Sequence, residues 1–452
     1  MLEQAIDRAR STRPEAEAEL FELLAIPSVS TLPQHRDDVE RACQWVVGRL
    51  EALGMEVEVA RGPGNPVISA AWLRREGAPV LGLYGHYDVQ PPDPVDLWES
   101  PPFQPAVRDG FVYARGATDN KGQLVACLRA AEVAFAAGGP PLNLRFLIEG
   151  EEEIGGRSLP DFVSANAGRL PTDHMLVTDG LFTAPGVPNV KTGLRGMLYV
   201  EIEVKGGAAD LHSGLYGGVA PNPLNSLVHI LSALKGRDGR VRIPGFYDQV
   251  LPPGREEVES WRRLPIDEER LLREIGSQAL EGEAEFQPVE RLWARPTLDV
   301  HGIAGGFTGA GQKTVIPAEA LAKVSMRLVP RQDPELILEA MRSFVASLAT
   351  PGVRVEVKPV SYTKPLAADV GNPAVVAARS AFAASFDAEP VLVREGGSVP
   401  VTLEFQESLG ANLVVTGFGL PGAGLHSPNE SMSLDQFHRG TEFVLQLMHR
   451  LA

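Results

Sequence analysis

Hydrophobic and polar residues follow two different patterns along the chain, and the change of pattern divides it into three segments. Before residue 195 and after residue 362, short apolar runs such as 80–84, 142–148 and 413–417 alternate with stretches of helical periodicity. Continuous apolar runs are typical of strands that are buried on both faces. Strands that alternate with helices predict an α/β domain built on a largely parallel sheet.

The middle segment has the pattern of a different kind of sheet. Residues 197–205 place Leu198, Val200, Ile202 and Val204 between polar neighbours, which is typical of a strand with one face in water. A helical pattern over 333–349 and an alternating strand over 353–360 follow. We therefore expect residues 195–362 to form a separate α+β domain that is inserted into the first one. Residues 1–194 and 363–452 then form the two parts of the α/β domain.

Helix limits can also be predicted from the pattern. Residues 1–26 show helical periodicity up to Pro27, and a second helix is expected from about residue 37 to residue 53, before Gly54. The region from residue 235 to about 296 is charged and rich in proline, with a helical segment near 267–280.

Charge and cysteine content narrow the class of protein. The chain carries 42 Lys and Arg against 58 Asp and Glu, a formal net charge of -16, which argues against nucleic acid or an anionic membrane as the main partner. Its 2 cysteines exclude a disulfide framework. The amino-terminal residues lack the pattern of a signal peptide, and no apolar run approaches the ~18 residues of a membrane span. We expect a soluble cytoplasmic protein.

Five turns that follow predicted strands carry side chains that bind metals. A lone histidine or aspartate in such a turn is more often structural or a helix cap, but five in one sheet-like domain are difficult to explain in that way. In open α/β sheets, ligands bind beyond the carboxyl ends of the strands. The turns contain His86 with Asp88, Asp119, Glu152 with Glu153, Asp179, and His426.

This set of imidazoles and carboxylates matches the needs of two divalent cations. Such ligands suit zinc, manganese or cobalt. Two ions about 3.5–4 Å apart need a bridging carboxylate, and the central Asp119 is the natural candidate. Of the adjacent Glu152 and Glu153, one can bind metal while the other acts as general base. Asp88, two residues from His86, can support that imidazole.

Several motifs resemble one family over nearly the whole chain. They are YGHYDVQP at 84–91, RGATDNKG at 115–122, EGEEEIGG at 149–156, DLHSGLYGG at 210–218, KTVIP at 313–317, RLVP at 327–330 and REGGSVP at 394–400. The chain resembles the M20 family of metallopeptidases, and within it the cytosolic dipeptidases that include the carnosinases and the non-specific dipeptidases. Gly156 stands where that family usually has serine.

The resemblance implies a role for each residue of the metal site. Asp119 would bridge the ions, His86 and Asp179 would complete one, and Glu153 and His426 the other. Glu152 would be the general base that activates a water between the ions, and Asp88 would orient His86. The peptide bond before Asn120 is often cis in this family. Two divalent ions per subunit are expected, zinc first, with manganese or cobalt possible.

The resemblance also implies that the inserted domain, residues 195–362, is a lid or dimerisation domain and that residues 1–194 and 363–452 form the two parts of the catalytic domain. It further implies roles for residues outside the metal site. His212 would donate to the oxyanion in the active site of the other subunit of a homodimer. Arg327 would bind the substrate carboxylate, and Thr314 and Ser398 would complete the substrate contacts.

The predicted function is hydrolysis of dipeptides or short peptides with a free C-terminal carboxylate. One alternative is an N-acyl-amino-acid amidohydrolase on the same fold, against which the turn at His212 argues. A metal-binding relative without activity is a second alternative, but all five ligands and the base are present.

Overall fold

The chain folds into two compact units, and the computed structural model describes residues 1–264, 266–395 and 401–452. One unit comprises Met1–Thr192, Ala368–Leu392 and Val399–Ala452, and the other comprises Gly193–Ala367 and Val393–Ser398. The chain therefore leaves the first unit and returns to it. The sequence pattern placed these crossings at residues 194/195 and 362/363, and it assigned residues 393–395 to the catalytic domain, whereas they group with the second unit.

The strands and helices are numbered in chain order. The strands are β1 (Glu56–Ala60), β2 (Val67–Trp72), β3 (Val80–His86), β4 (Ala106–Arg108), β5 (Phe111–Tyr113), β6 (Asn143–Glu149), β7 (His174–Thr178), β8 (Asn189–Leu194), β9 (Gly196–Lys205), β10 (Leu211–His212), β11 (Thr297–Gly305), β12 (Val315–Ile316), β13 (Glu319–Leu328), β14 (Arg354–Thr363), β15 (Leu366–Ala367), β16 (Val391–Glu395), β17 (Asn412–Thr416) and β18 (Ser431–Ser433). The α-helices are α1 (Leu2–Ser11), α2 (Arg13–Leu24), α3 (Arg36–Ala52), α4 (Lys121–Ala136), α5 (Ser158–Asn166), α6 (Ser213–Tyr216), α7 (Pro223–Leu234), α8 (Arg255–Trp261), α9 (Glu268–Ile275), α10 (Pro288–Trp293), α11 (Pro334–Leu348), α12 (Pro373–Phe386), α13 (Val401–Glu407) and α14 (Leu434–Leu451).

The main sheet is mixed, with a parallel centre. Its strand order is β1-β2-β6-β3-β7-β17-β8-β15, and β16 pairs with β8. The neighbouring strands β6, β3, β7 and β17 are parallel, which confirms the predicted α/β class. The strands β1, β2, β8 and β15 outside this centre form antiparallel pairs. The connection between β1 and β2 spans only residues 61–66. This length suits an antiparallel pair, since a parallel crossover would need a dozen or more residues.

The core of the first unit contains a cluster of buried aromatic rings. Phe382 of α12 packs against Phe443 of α14 with ring centroids 4.2 Å apart. Phe182, Phe386 and Phe418 complete the cluster through edge-to-face and stacked contacts. These rings hold α12 and α14 together, and α14 packs in turn on α4.

The first predicted helix is two helices in the structure. α1 ends at Ser11 and α2 begins at Arg13, with Thr12 between them in a non-helical conformation. The hydroxyl of Thr12 donates to the carbonyl of Arg8 at 2.8 Å. Pro14 lies in the first turn of α2, where its missing N–H is tolerated, whereas inside one continuous helix it would break the ladder. The second predicted helix, 37–53, is α3.

The second unit is built on an antiparallel sheet of order β11-β13-β9-β14. The alternating pattern of β9 is confirmed, because its apolar residues are buried in a core with α7 and α11. The helix expected near 267–280 is α9 and ends sooner, because Gly276 closes it in the left-handed conformation with φ of 70°. Helices α8 and α10 were missed in the same proline-rich region. No helix in the described part of the chain has the length and apolar character needed to cross a bilayer.

Two adjacent valines on α12 test the packing of this core. Val375 is fully buried, whereas Val376 is 51% exposed. We expect Val375→Ala to lower the free energy of unfolding by about 2 kcal/mol, because methyl groups are lost and a cavity is left. Val376→Ala should change it by less than about 0.5 kcal/mol. Denaturant unfolding of both variants checks this, and equal effects would contradict the assigned orientation of α12.

Candidate metal centre

Three adjacent parallel strands deliver candidate ligands to one edge of the main sheet. His86 is the last residue of β3, and Asp179 directly follows β7. Glu152 and Glu153 lie in a short turn after β6. Because β6, β3 and β7 are neighbours that run in the same direction, their carboxyl ends bring these side chains together.

The remaining two candidate ligands reach the cluster from outside the main sheet. Asp119 lies between β5 and α4, and β5 belongs to a separate sheet of order β18-β5-β4. His426 lies in the connection between β17 and β18, in the left-handed conformation with φ of 57°. Asp119 therefore does not occupy a strand end of the main sheet, contrary to the simple expectation from the sequence.

The candidate ligands form two groups that share Asp119. One group is His86, Asp119 and Asp179, the other is Asp119, Glu153 and His426, and within each group the ligand atoms lie within 4.8 Å of one another. Asp119 Oδ1 lies 3.1 Å from His86 Nε2, and Asp119 Oδ2 lies 3.0 Å from His426 Nε2. The two oxygens of one carboxylate thus face one histidine each.

The spacing within the groups suits metal coordination. Tetrahedral ligands about 2.0 Å from one ion lie about 3.3 Å from each other. His426 Nε2 is 3.2 Å from Glu153 Oε2, and His86 Nε2 is 4.0 Å from Asp179 Oδ1. Together with the two contacts of Asp119, these distances allow one cation in each group.

The electrostatics of the cluster also indicate a need for cations. Burial acts to raise the pKa of Asp119, but hydrogen bonds with His426 and His86 outweigh it and lower that pKa. Burial and the charge of Asp119 raise the pKa of Asp179 to about 6. Burial raises the pKa of Glu152 to about 8, and neighbouring carboxylates add to this effect. The raised pKa values of Asp179 and Glu152 mean that these acids tend to take up protons when no positive charge is near. Two divalent cations would supply that charge and favour the ionised acids.

The structure separates the two adjacent glutamates. Glu153 belongs to the group around His426, and its side chain is only 2% exposed. Glu152 belongs to neither group. This arrangement is the one expected if Glu153 is a ligand and Glu152 a base, and both roles stay predictions.

Asp88 contacts more than the imidazole that it is expected to orient. His86 Nδ1 lies 3.0 Å from the carbonyl oxygen of Asp88 and 3.3 Å from its carboxylate. The same carboxylate accepts hydrogen bonds from the backbone N–H groups of Glu152 and Glu153, at 3.3 and 3.2 Å. Asp88 therefore links the end of β3 to the turn that carries the predicted base.

Sequence reasoning missed three polar residues that hold the candidate ligands. Gln90 donates from Nε2 to Glu153 Oε2 at 2.9 Å. Asn120, which follows a cis peptide bond, donates to Asp179 Oδ1 at 3.2 Å. The position of Gln90 and Asn120 inside motifs beside ligands could have indicated them. The third is Glu430, which nothing in its local sequence indicates.

Gly156, which departs from the resembling family, has a local explanation. A Cβ atom at this position would lie 2.2 Å from Glu151 Cβ. Glu151 is buried and accepts hydrogen bonds from the backbone N–H groups of Asn65 and Ser158, at 2.8 and 3.2 Å. In this conformation glycine lets Glu151 fix the turn beside the predicted base.

Three other predicted site residues, His212, Thr314 and Arg327, lie in the second unit. His212 and Thr314 are neighbours, because β10 pairs with β12 and Ser213 N donates to the carbonyl of Thr314 at 3.1 Å. Gly214 N donates to His212 Nδ1 at 2.9 Å. Arg327 lies on β13, opposite Met197 of β9. Ser398 lies outside the described residues.

Comparison with known proteins agrees with this geometry. The model of peptidase family M20/M25/M40 matches residues 82–450. The chain is 31% identical to the human Beta-Ala-His dipeptidase, over 94% of this chain and 87% of that protein. It is 30% identical to a Cys-Gly metallodipeptidase of Candida albicans, over 99% and 97% of the two chains.

Solved structures give the same result. Human carnosine dipeptidase 1 superposes with a TM-score of 0.75 and 29% identity, over 100% of this chain and 98% of that one. An M20 family metallo-carboxypeptidase of Sulfolobus solfataricus superposes with a TM-score of 0.81 and 31% identity, over 97% and 99%. The chain therefore belongs to peptidase family M20/M25/M40 and is a metallopeptidase.

Proposed function

We propose that this metallopeptidase hydrolyses dipeptides and short peptides that have a free C-terminal carboxylate, with two divalent cations. The observation that carries the proposal is the shared carboxylate of Asp119, whose two oxygens lie 3.1 and 3.0 Å from His86 Nε2 and His426 Nε2. A bridging carboxylate is typical of two-metal hydrolases. Zinc is the first choice for these ligands, with manganese or cobalt as alternatives.

Different residues of the chain would hold the two ions. His86 and Asp179 would hold one ion, Glu153 and His426 the other, and Asp119 both. When bound, the ions would lower the pKa of water and polarise the scissile carbonyl. Asp88 and Gln90 would keep the ligands in position through the contacts described above.

Glu152 is the proposed general base. Glu152 and Asp88 belong to neither ligand group. The carboxylate of Asp88 contacts His86 and the backbone N–H groups of the turn after β6, so Glu152 is the better candidate for the base. It would accept a proton from the attacking water on a carboxylate oxygen and then donate it to the leaving amine. Burial favours its protonated form, and the charges of two nearby cations would favour its ionised form before attack.

His212 is proposed to stabilise the oxyanion from the other subunit of a homodimer. Because its Nδ1 accepts a hydrogen bond from Gly214 N, the neutral ring carries its proton on Nε2. An N–H donor of this kind is what a developing oxyanion needs. Thr314, a neighbour of His212, and Ser398 are proposed to contact the substrate.

Arg327 is proposed to bind the C-terminal carboxylate of the substrate, because a guanidinium pairs with a carboxylate in bidentate fashion. The relatives named above are dipeptidases and a carboxypeptidase, which supports peptides as substrates and does not favour the N-acyl-amino-acid amidohydrolase. A cytoplasmic location stays a prediction from the sequence.

Metal removal and a substrate panel test the proposal directly. We expect chelation to abolish dipeptide hydrolysis and addition of single metals to restore it. Peptides of increasing length separate a dipeptidase from a carboxypeptidase, and C-terminal amides should be poor substrates because the carboxylate is missing. Faster turnover of N-acetyl amino acids than of any peptide would contradict the proposed substrate class.

The adjacent glutamates provide a matched pair of variants. Glu152→Gln should retain both metal ions and lose turnover by about 100- to 10,000-fold, because only the proton acceptor is removed. Glu153→Gln should lose the ion shared with His426. Metal content by mass spectrometry and turnover on one dipeptide measure both effects, and a Glu152→Gln variant with normal turnover would show that the base is another residue.

Mixed dimers test the proposed role of His212. Glu152→Gln and His212→Ala should each be inactive alone. If His212 acts in trans, subunit exchange creates dimers with one intact site, and activity should return to about a quarter of the wild-type level. Two copies of the same inactive variant, treated in the same way, are the control. A mixture that stays inactive although exchange has occurred would place His212 in its own subunit's site.

A further inference from the structure

Glu430 is fully buried. Its carboxylate contacts residues 115–119, the segment that ends in Asp119, the candidate bridging ligand. Its Oε1 accepts hydrogen bonds from the backbone N–H groups of Thr118 and Asp119, both at 2.9 Å. Its Oε2 accepts from the backbone N–H of Gly116 at 2.9 Å and from Arg115 Nη1 at 2.8 Å. Both oxygens are therefore used, and each bonds with two donors.

This arrangement differs from an ordinary buried ion pair with Arg115. Three of the four donors are backbone N–H groups, so the carboxylate stabilises the conformation of the 116–119 turn in addition to pairing with Arg115. Arg115 also donates from Nη2 to the carbonyl of Pro91 at 3.0 Å. A buried N–H group that loses its acceptor lowers the stability of the folded protein. The hydrogen bonds with Glu430 therefore favour the observed conformation of this turn.

Glu430 also belongs to the chain segment that carries another candidate ligand. It follows His426 by four residues, and both His426 and Asn429 have left-handed backbones, with φ of 57° and 61°. The carbonyl of Glu430 accepts from Ala114 N at 3.1 Å, and that of Ser431 accepts from the Thr118 hydroxyl at 2.8 Å. The segments of Asp119 and His426 are thus joined at Glu430.

We propose that Glu430 is a positioning residue that holds Asp119 and His426 at the separation required by the metal position they share with Glu153. This inference rests on the two-metal function proposed above. Glu430 acts through the backbone of the 116–119 turn and through its own segment, and it binds no metal itself. The partners of metal ligands commonly affect metal affinity in this way.

The test is Glu430→Gln, in which an amide replaces the carboxylate at nearly the same size. The amide keeps one acceptor oxygen, and its NH₂ group would face N–H donors instead of accepting from them. We expect calorimetric titration of the metal-free full-length protein with zinc to show about 10- to 100-fold weaker binding at the weaker-binding position. Raising the zinc concentration should then restore turnover with an unchanged KM, because Glu430 does not touch substrate.

Glu442→Gln is the matched control in the same unit. Glu442 is a buried carboxylate on α14 that accepts from Arg10 Nε and Nη2 at 2.9 and 2.8 Å. Its loss should lower stability without changing zinc affinity. If Glu430→Gln does not fold, Glu430→Asp replaces it, since the shorter carboxylate keeps its charge but cannot reach all four donors, and weaker zinc binding is again expected.

The outcomes separate this inference from the proposed function. A folded Glu430 variant that binds zinc like the wild type overturns the positioning role and leaves the two-metal function intact. Equal weakening in Glu442→Gln would overturn it too, because the effect would then follow from lost stability. A wild-type protein that takes up no divalent metal would overturn the two-metal function and with it this inference.

Discussion

Mutual repulsion among buried carboxylates is the constraint on which the candidate metal centre depends. Asp119, Asp179, Glu152, Glu153 and Asp88 converge on one edge of the main sheet, and their negative charges are costly to bury together. Two features of the structure reduce this cost. Backbone N–H groups and amide side chains hold several of the carboxylates, and the distances within each of the two ligand groups allow one cation there.

The parallel centre of the sheet supplies only part of this arrangement. β3, β6 and β7 bring their last residues together because parallel neighbours end at the same edge. The central carboxylate, Asp119, comes from a separate small sheet. Its place is fixed by contacts from Glu430 and from the turn around it. The candidate ligands thus come from segments that flank the strands of two sheets.

Much of the fold and of the candidate site was predictable, and the failures have physical causes. Buried apolar runs and residues that bind metals in the following turns are local features, so the strands of the parallel centre and the candidate ligands could be predicted from them. The strands β8 and β11 were not predicted. The break before α2 depended on Pro14, and the early end of α9 depended on Gly276. Glu430 could not be found because its partners are more than 300 residues away in sequence. Local patterns carry no information about such contacts.

The order of the segments along the chain has a consequence for biosynthesis. His426 and Glu430 lie beyond the inserted unit, whereas the other candidate ligands precede it. During translation the ribosome must therefore make the whole second unit before the ligand set is complete. A nascent chain that stops within the insertion lacks one imidazole and the carboxylate that joins the segments of Asp119 and His426. The proposed hydrolysis would therefore need the segments on both sides of the insertion.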